Sequence, residues 1–173
     1  MLARGHGWIA MLLALSVSTT GAGQCHLVSS PPVPVTTMDL PEDGRLAGAL
    51  TWRCGSLAQA NANLDQALRD CNKAYSLMGI SFWSSQAKWP PSRAAALLSA
   101  RSLIELRQGD LKGAINDDNA ATKLAPDDAY ALYTRGLAEL HRNAKAQGQA
   151  DLDSARRLQP DIDHRYATMG LTP

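Results

Sequence analysis

Thiols, imidazoles and carboxylates are the groups through which this chain could do chemistry, and their spacing gives them little to work with. The three cysteines, Cys25, Cys54 and Cys71, are too few for a disulfide-built miniprotein and lack the spacing of a zinc site. His6, His26, His141 and His164 are scattered, and none stands at metal-ligand spacing from a second ligand-type pair. Two acidic doublets, Asp117-Asp118 and Asp127-Asp128, resemble paired carboxylates. Neighbours on a helix face different directions, however, so these are read as a turn and a helix start. No GxSxG, HExxH, P-loop or CxxC pattern occurs. Neither a nucleophile with its base nor a coordinated metal is supplied, so the expectation is no enzyme, no metal and no cofactor.

Composition narrows the class. Seventeen Lys+Arg against sixteen Asp+Glu leave a formal charge of +1, which lacks the basic surplus of a nucleic-acid binder or of a polybasic membrane-surface protein. A chain of 173 residues, 45% hydrophobic, makes one domain with a real core. Aromatics are only 5%, with a single Phe, so a large β-sandwich core is not expected. Alanine and leucine dominate, which suits helices.

Residues 1–23 read as a secretory signal peptide. Arg4 and His6 precede the apolar run WIAMLLALSV (Trp8–Val17), and small polar residues follow, with cleavage after Ala22 or Gly23. An uncleaved anchor is the rival, but the run of ten falls short of the ~20 residues that span a bilayer. Lipidation at Cys25 is disfavoured by Gln24, where a small residue is needed. The expected location is periplasmic or secreted, with no membrane association after cleavage, and disulfides are then permitted. Residues 24–44 hold Pro31, Pro32, Pro34 and Pro41 without helical periodicity, an extended polyproline-like lead-in.

From residue 45 onward the chain repeats itself. ALRDCNKAYSLM (Ala67–Met78) and AINDDNAATKLA (Ala114–Ala125) share Ala67/Ala114, Asp70/Asp117, Asn72/Asn119, Ala74/Ala121 and Leu77/Leu124. A third copy, GQADLDSARRLQ (Gly148–Gln159), follows the second by 34 residues, while the first precedes it by 47, which is 34 plus a 13-residue insertion at Phe82–Ala94. A fixed period of this size marks stacked supersecondary units. Each unit reads as two helices, Ala129–His141 and Lys145–Leu158 in the last. Pro126 and Pro160 stop the second helices, and Asn61–Asn63 and Gly109-Asp110 mark turns. Asp127-Asp128 and Pro160-Asp161 set negative charge at the start of the next helix.

These residues resemble the tetratricopeptide repeat family, in the manner of an exported bacterial-type member. Its 34-residue pattern is small at positions eight and twenty, large at twenty-four, Ala at twenty-seven and Pro at thirty-two. Gly136, Gly148, Leu152, Ala155 and Pro160 fit it in the unit Ala129–Ile162; Ala114, Ala121 and Pro126 fit it in Ala95–Asp128, where Ser102 stands for the glycine. In Gly48–Ser81, Gly55, Ala67 and Ala74 fit, but Gly79 replaces the proline. The resemblance implies an all-α fold, an α-α superhelix (solenoid) of about three hairpins with Asp161–Met169 as a capping helix. Small residues where the paired helices cross let the backbones approach.

Three departures from the pattern carry expectations. Cys54 and Cys71 occupy positions seven and twenty-four of the first unit, where the family has a facing apolar pair, so the resemblance implies a disulfide between them; two buried free thiols are the alternative. Arg101 and Asp118 hold those positions in the second unit and are expected to form an ion pair. Arg135, opposite Leu152 in the third, must look to Asp117 or Asp151. Cys25 is left over, free or bridging two chains. The insertion, with Phe82, Trp83 and Trp89, is expected to pack its tryptophans over the first two units rather than offer a recognition loop.

In this architecture the first helices line the concave face, which would place there Trp52, Ser56, Ser99, Leu103, Tyr130, Tyr133, Leu137 and His141. Such a face suits an extended peptide or a partner helix. Lys and Asn of the family's carboxylate-gripping version are missing, since Trp52 and Ser56 stand there. Alternatively the lead-in or the insertion fills the groove from within. The expected function is a protein–protein interaction module, an adaptor or assembly scaffold. The rival is a redox or other enzymatic accessory using Cys25 or the Cys54/Cys71 pair, which requires an accessible, low-pKa thiol.

Overall fold

The computed structural model describes residues 42–79 and 89–173. The signal peptide, Cys25, most of the lead-in, Phe82 and Trp83 lie outside the described residues. Those described form α1 (Glu42–Gln59), α2 (Leu64–Met78), α3 (Pro91–Gln108), α4 (Leu111–Leu124), α5 (Ala129–His141), α6 (Lys145–Leu158) and α7 (Ile162–Thr168), with no strand among them. None of these helices is long and apolar enough to cross a membrane.

Local chemistry sets the boundaries. Asn61 and Asn63 (φ 51° and 46°) and Gly109 (φ 82°) take left-handed backbone in the turns, which Asn and Gly adopt at least cost. Gly79, where the pattern has proline, closes α2 with φ 57°. The Asp128 carboxylate accepts from the Tyr130 and Ala131 amides at 3.0 and 3.2 Å, and Asp110 accepts from Gly113 at 2.9 Å, each pairing amides that a helix start leaves unmet. Two boundaries differ from the sequence reading. α1 begins at Glu42, inside the expected lead-in, because Glu42 and Asp43 favour a helix start. α3 begins at Pro91, so residues 91–94 of the expected insertion are helical. Proline at the first helical position has no amide to leave unpaired, and Pro90-Pro91 opens this helix rather than breaking it.

Helices pair as α1–α2, α3–α4 and α5–α6, and each hairpin packs on the next. First helices also touch, α1 on α3 and α3 on α5, whereas no comparable packing links α2 to α4 or α4 to α6. The first helices therefore lie on the inside of the curve and the second helices fan outward, which is a superhelix. At the third crossing a β-carbon on Gly148 would lie 2.7 Å from the Gly136 carbonyl oxygen, so two bare backbones meet there.

Cys54 and Cys71 are wholly buried and joined, their Cα atoms 5.5 Å apart. Closing this loop is worth about 3 kcal/mol on the chain-entropy model, so a Cys54→Ser/Cys71→Ser variant should melt correspondingly lower by calorimetry; an unchanged melting temperature would show that the bridge adds nothing.

The expected Arg101–Asp118 ion pair is not the one formed. Arg101 grips Asp117 through two nitrogens, Nη2 to Oδ1 at 2.6 Å and Nε to Oδ2, while Asp118 turns inward and accepts from Ser102 Oγ at 2.7 Å. Both aspartates sit in mid-α4, not in a turn. Successive residues on a helix diverge by about 100°, so only Asp117 lies at the rim, where a guanidinium keeps part of its hydration. Arg135 does the same with Asp151, both bonds being 2.7 Å, and Arg53 with Asp70 at 2.5 and 2.7 Å. The spare nitrogen reaches back one hairpin, from Arg101 to Asn72 at 3.3 Å and from Arg135 to Asn119 at 2.9 Å. The repeated Asp and Asn thus accept from the arginine of their own hairpin and of the next. In a double-mutant cycle Arg101 and Asp117 should couple by about 1–3 kcal/mol and Arg101 and Asp118 by a few tenths; the reverse order would contradict this pairing.

Trp89 packs on α1 as expected, while the expected packing of Trp83 lies outside the described residues. The Trp89 ring lies over Gly44, where an added β-carbon would come within 1.8 Å of Cη2. Gly44→Ala should displace the indole, change tryptophan emission and cost about 1–3 kcal/mol.

Candidate functional site: the inner face

The eight residues expected on the inner face divide into two groups. On α1, Trp52 is 75% exposed, the most open large apolar side chain among the described residues, and Ser56 beside it one turn on is also exposed. On α3, Ser99 is half-buried and donates to Asp128 at 2.8 Å, tying α3 to the turn before α5. Tyr130 is half-buried and His141 exposed on α5. Leu103, Tyr133 and Leu137 lie in the core and offer no open surface, contrary to the sequence reading.

Among the described residues, the cover over Tyr133 comes from the chain's own C-terminal end. The Tyr166 ring of α7 packs 4.2 Å from that of Tyr133 and 6.1 Å from that of Tyr130. Its hydroxyl lies 2.7 Å from Thr134 Oγ1 and donates to the Tyr130 carbonyl at 3.0 Å. Tyr133 donates to Asp163 of α7 at 2.7 Å. Burial, then this carboxylate, pushes the Tyr133 hydroxyl well above its ordinary range, while Arg156 and Tyr133 together hold the Asp163 carboxyl below its own. Beyond α7, the Leu171 amide returns to the Tyr166 carbonyl at 2.9 Å, and Met169 and Leu171 pack against the core. Arg107, at the repeat position of His141, donates to the Met169 carbonyl at 2.8 Å and the Gln59 carbonyl at 3.4 Å. The tail therefore bridges α7 to the ends of α1 and α3.

Sequence reasoning missed Arg107 and this return of the tail. Nothing in a dozen residues after Pro160 indicates which side of α5 they will cover. Among the described residues, Trp52 and Ser56 of α1 and His141 of α5 remain exposed, with Tyr130 half-buried at the rim. No group of three or more His, Cys, Asp or Glu among the described residues could hold a metal ion. Cys54 and Cys71 are inaccessible to thiol exchange as they stand.

No family model and no curated protein matches the chain. Among solved structures it is similar to a chain described as the C-terminal TPR-containing domain of a Plasmodium falciparum FK506-binding protein, with a TM-score of 0.58 and 18% identity, covering 78% of this chain and 94% of that one. The likeness is one of fold: stacked helical hairpins of the tetratricopeptide type.

Proposed function

We propose that the chain is a protein–protein interaction module, an adaptor or assembly scaffold with no chemistry of its own, that takes a peptide or partner helix at the α1 end of its inner face. The observation that carries this reading is Trp52. A side chain of this size left 75% exposed, on a helix whose opposite face is buried, forgoes burial that the fold could have used. Trp52 and Ser56 offer an indole plane beside a hydroxyl, suited to an apolar peptide with a few backbone hydrogen bonds. The near-neutral net charge gives little long-range steering, so contact area is expected to carry affinity. Export belongs to this reading, since a Cys54–Cys71 disulfide persists in an oxidising compartment.

Quantitative capture from an extract of the source cells tests it, comparing the wild type with Trp52→Ala, Ser56→Arg and, on the outer helices, Lys112→Ala. A partner lost tenfold or more with the first two and retained with the third supports the reading. Tyr133→Ala is a poor probe, because it would disturb the core. A partner indifferent to both Trp52→Ala and Ser56→Arg would remove the α1 face from consideration.

A further inference from the structure

We propose that the central hairpin, α3–α4, is a proton-dependent joint: the half-buried Glu105 and the buried Asp118, each with one buried carboxyl oxygen at the seam that lacks any donor, are carried as neutral acids, and loss of those protons loosens α3 from α4.

Glu105 Oε2 and Asp118 Oδ2 are buried without a hydrogen-bond partner. A carboxylate so placed loses its hydration with nothing in return, whereas a carboxylic acid does not carry the charge that makes burial costly. The local cations are committed elsewhere. Arg101 binds Asp117 with two nitrogens and Asn72 with the third, lies over the Tyr75 ring of α2, and comes no nearer than 3.9 Å to Glu105 Oε1. Arg135, which faces Asp118 from α5, is held by Asp151.

The other charged neighbours oppose ionisation. Glu105 faces Asp117 from α4 and Asp110 from the intervening turn, and a β-carbon on Gly113 would meet both the Asp110 carboxylate (2.6 Å) and Glu105 Cδ (3.0 Å). Asp118 faces its neighbour Asp117 and, from the turn before α5, Asp128, with the Tyr166 hydroxyl of α7 also within its field. Burial first, then these carboxylates, pushes Glu105 up to about 7, and burial raises Asp118 well above the ordinary range although Ser102 donates to it.

A carboxyl group whose pKa is raised by folding gives the native state protons that the unfolded chain has released. Its contribution is complete below the unfolded value of about 4.5 and is lost as pH climbs through the folded one. Asp70, Asp161 and Asp163, which folding shifts downward, act the other way and only at the acid end. Because Ser99 of α3 is bonded to Asp128 in the turn before α5, loosening the joint would also alter the inner face.

The test is thermal melting of the oxidised full chain from pH 5.0 to 8.5, with amide hydrogen exchange at both ends of the range. The melting temperature should fall by roughly 10 °C between pH 5.0 and 8.0, and amides of α3 and α4 should lose protection before those of α5 and α6. Glu105→Gln should flatten the slope by about half and melt above the wild type at pH 8.0, and Asp118→Asn should flatten it further. A wild-type melting temperature that is level or rising over this range would overturn the proposal, as would an unchanged slope in Glu105→Gln. The Glu105 variant decides the matter even if Asp118→Asn does not fold.

Discussion

Valine in place of Gly148 is expected to destabilise the protein by about 3 kcal/mol or more and to unfold the α5–α6 hairpin first. The β-carbon would already stand 2.7 Å from the Gly136 carbonyl oxygen and 2.8 Å from Leu140 Cγ, and valine adds two methyl groups beyond it. The first obstacle is backbone, which cannot swing aside as a side-chain tip can. Relief requires the two helices to separate, and that undoes burial along their whole interface. Circular dichroism melts and hydrogen exchange would show the loss, with protection failing first in α5 and α6. Gly48→Ala is the matched comparison. It lies in α1 with nothing within 4 Å of the added carbon, so the same kind of change should stabilise by about 0.5–1 kcal/mol through the unfolded chain. If both substitutions had the same sign, the close approach of α5 and α6 would not be what requires glycine at 148.

Removing the Tyr166 ring is the second large effect. Tyr166→Ala should cost roughly 4 kcal/mol, because a wholly buried aromatic leaves a cavity between α5 and α7. Thr134 Oγ1 and the Tyr130 carbonyl would also lose their shared partner. The damage would not stay local. With α7 unseated, Tyr133 would lose its cover, and the Asp163 contacts to Tyr133 and Arg156 would go with it. Binding of a hydrophobic dye under native conditions should rise while far-ultraviolet dichroism is largely kept. Tyr166→Phe separates the two contributions: the ring remains, the hydroxyl bonds vanish, and the expected cost falls to about 1–3 kcal/mol. A Tyr166→Ala protein that melted like the wild type would mean that α7 does not seal the last hairpin.

The hairpins were legible in the amino-acid order because their signals are local. The spans Ala129–His141 and Lys145–Leu158 follow from apolar spacing and bounding turn residues, and the structure has the same limits. Pro126 and Pro160 end helices wherever they fall. Small residues at Gly136 and Gly148 mark a crossing before its geometry is known. The pairing of Cys54 with Cys71 is what the family resemblance implies, because the two stand where that family has a facing pair. The shared Asp70/Asp117 and Asn72/Asn119 were visible as identities, yet their meaning was not, since each accepts from an arginine on another helix.

Tertiary structure decided the rest. Whether Arg101 takes Asp117 or Asp118 depends on about 100° of rotation around α4 relative to α3, which is fixed by packing and not by either helix alone. Whether Tyr133 stays open depends on where α7 comes to rest, a contact between residues some 30 positions apart. Repetition encodes the stacking of like upon like, because each unit carries the same small and apolar positions toward its neighbour. Where the repetition ends no such rule applies, and only the folded chain shows that, among the described residues, Trp52 of α1 is exposed while α7 covers the last hairpin.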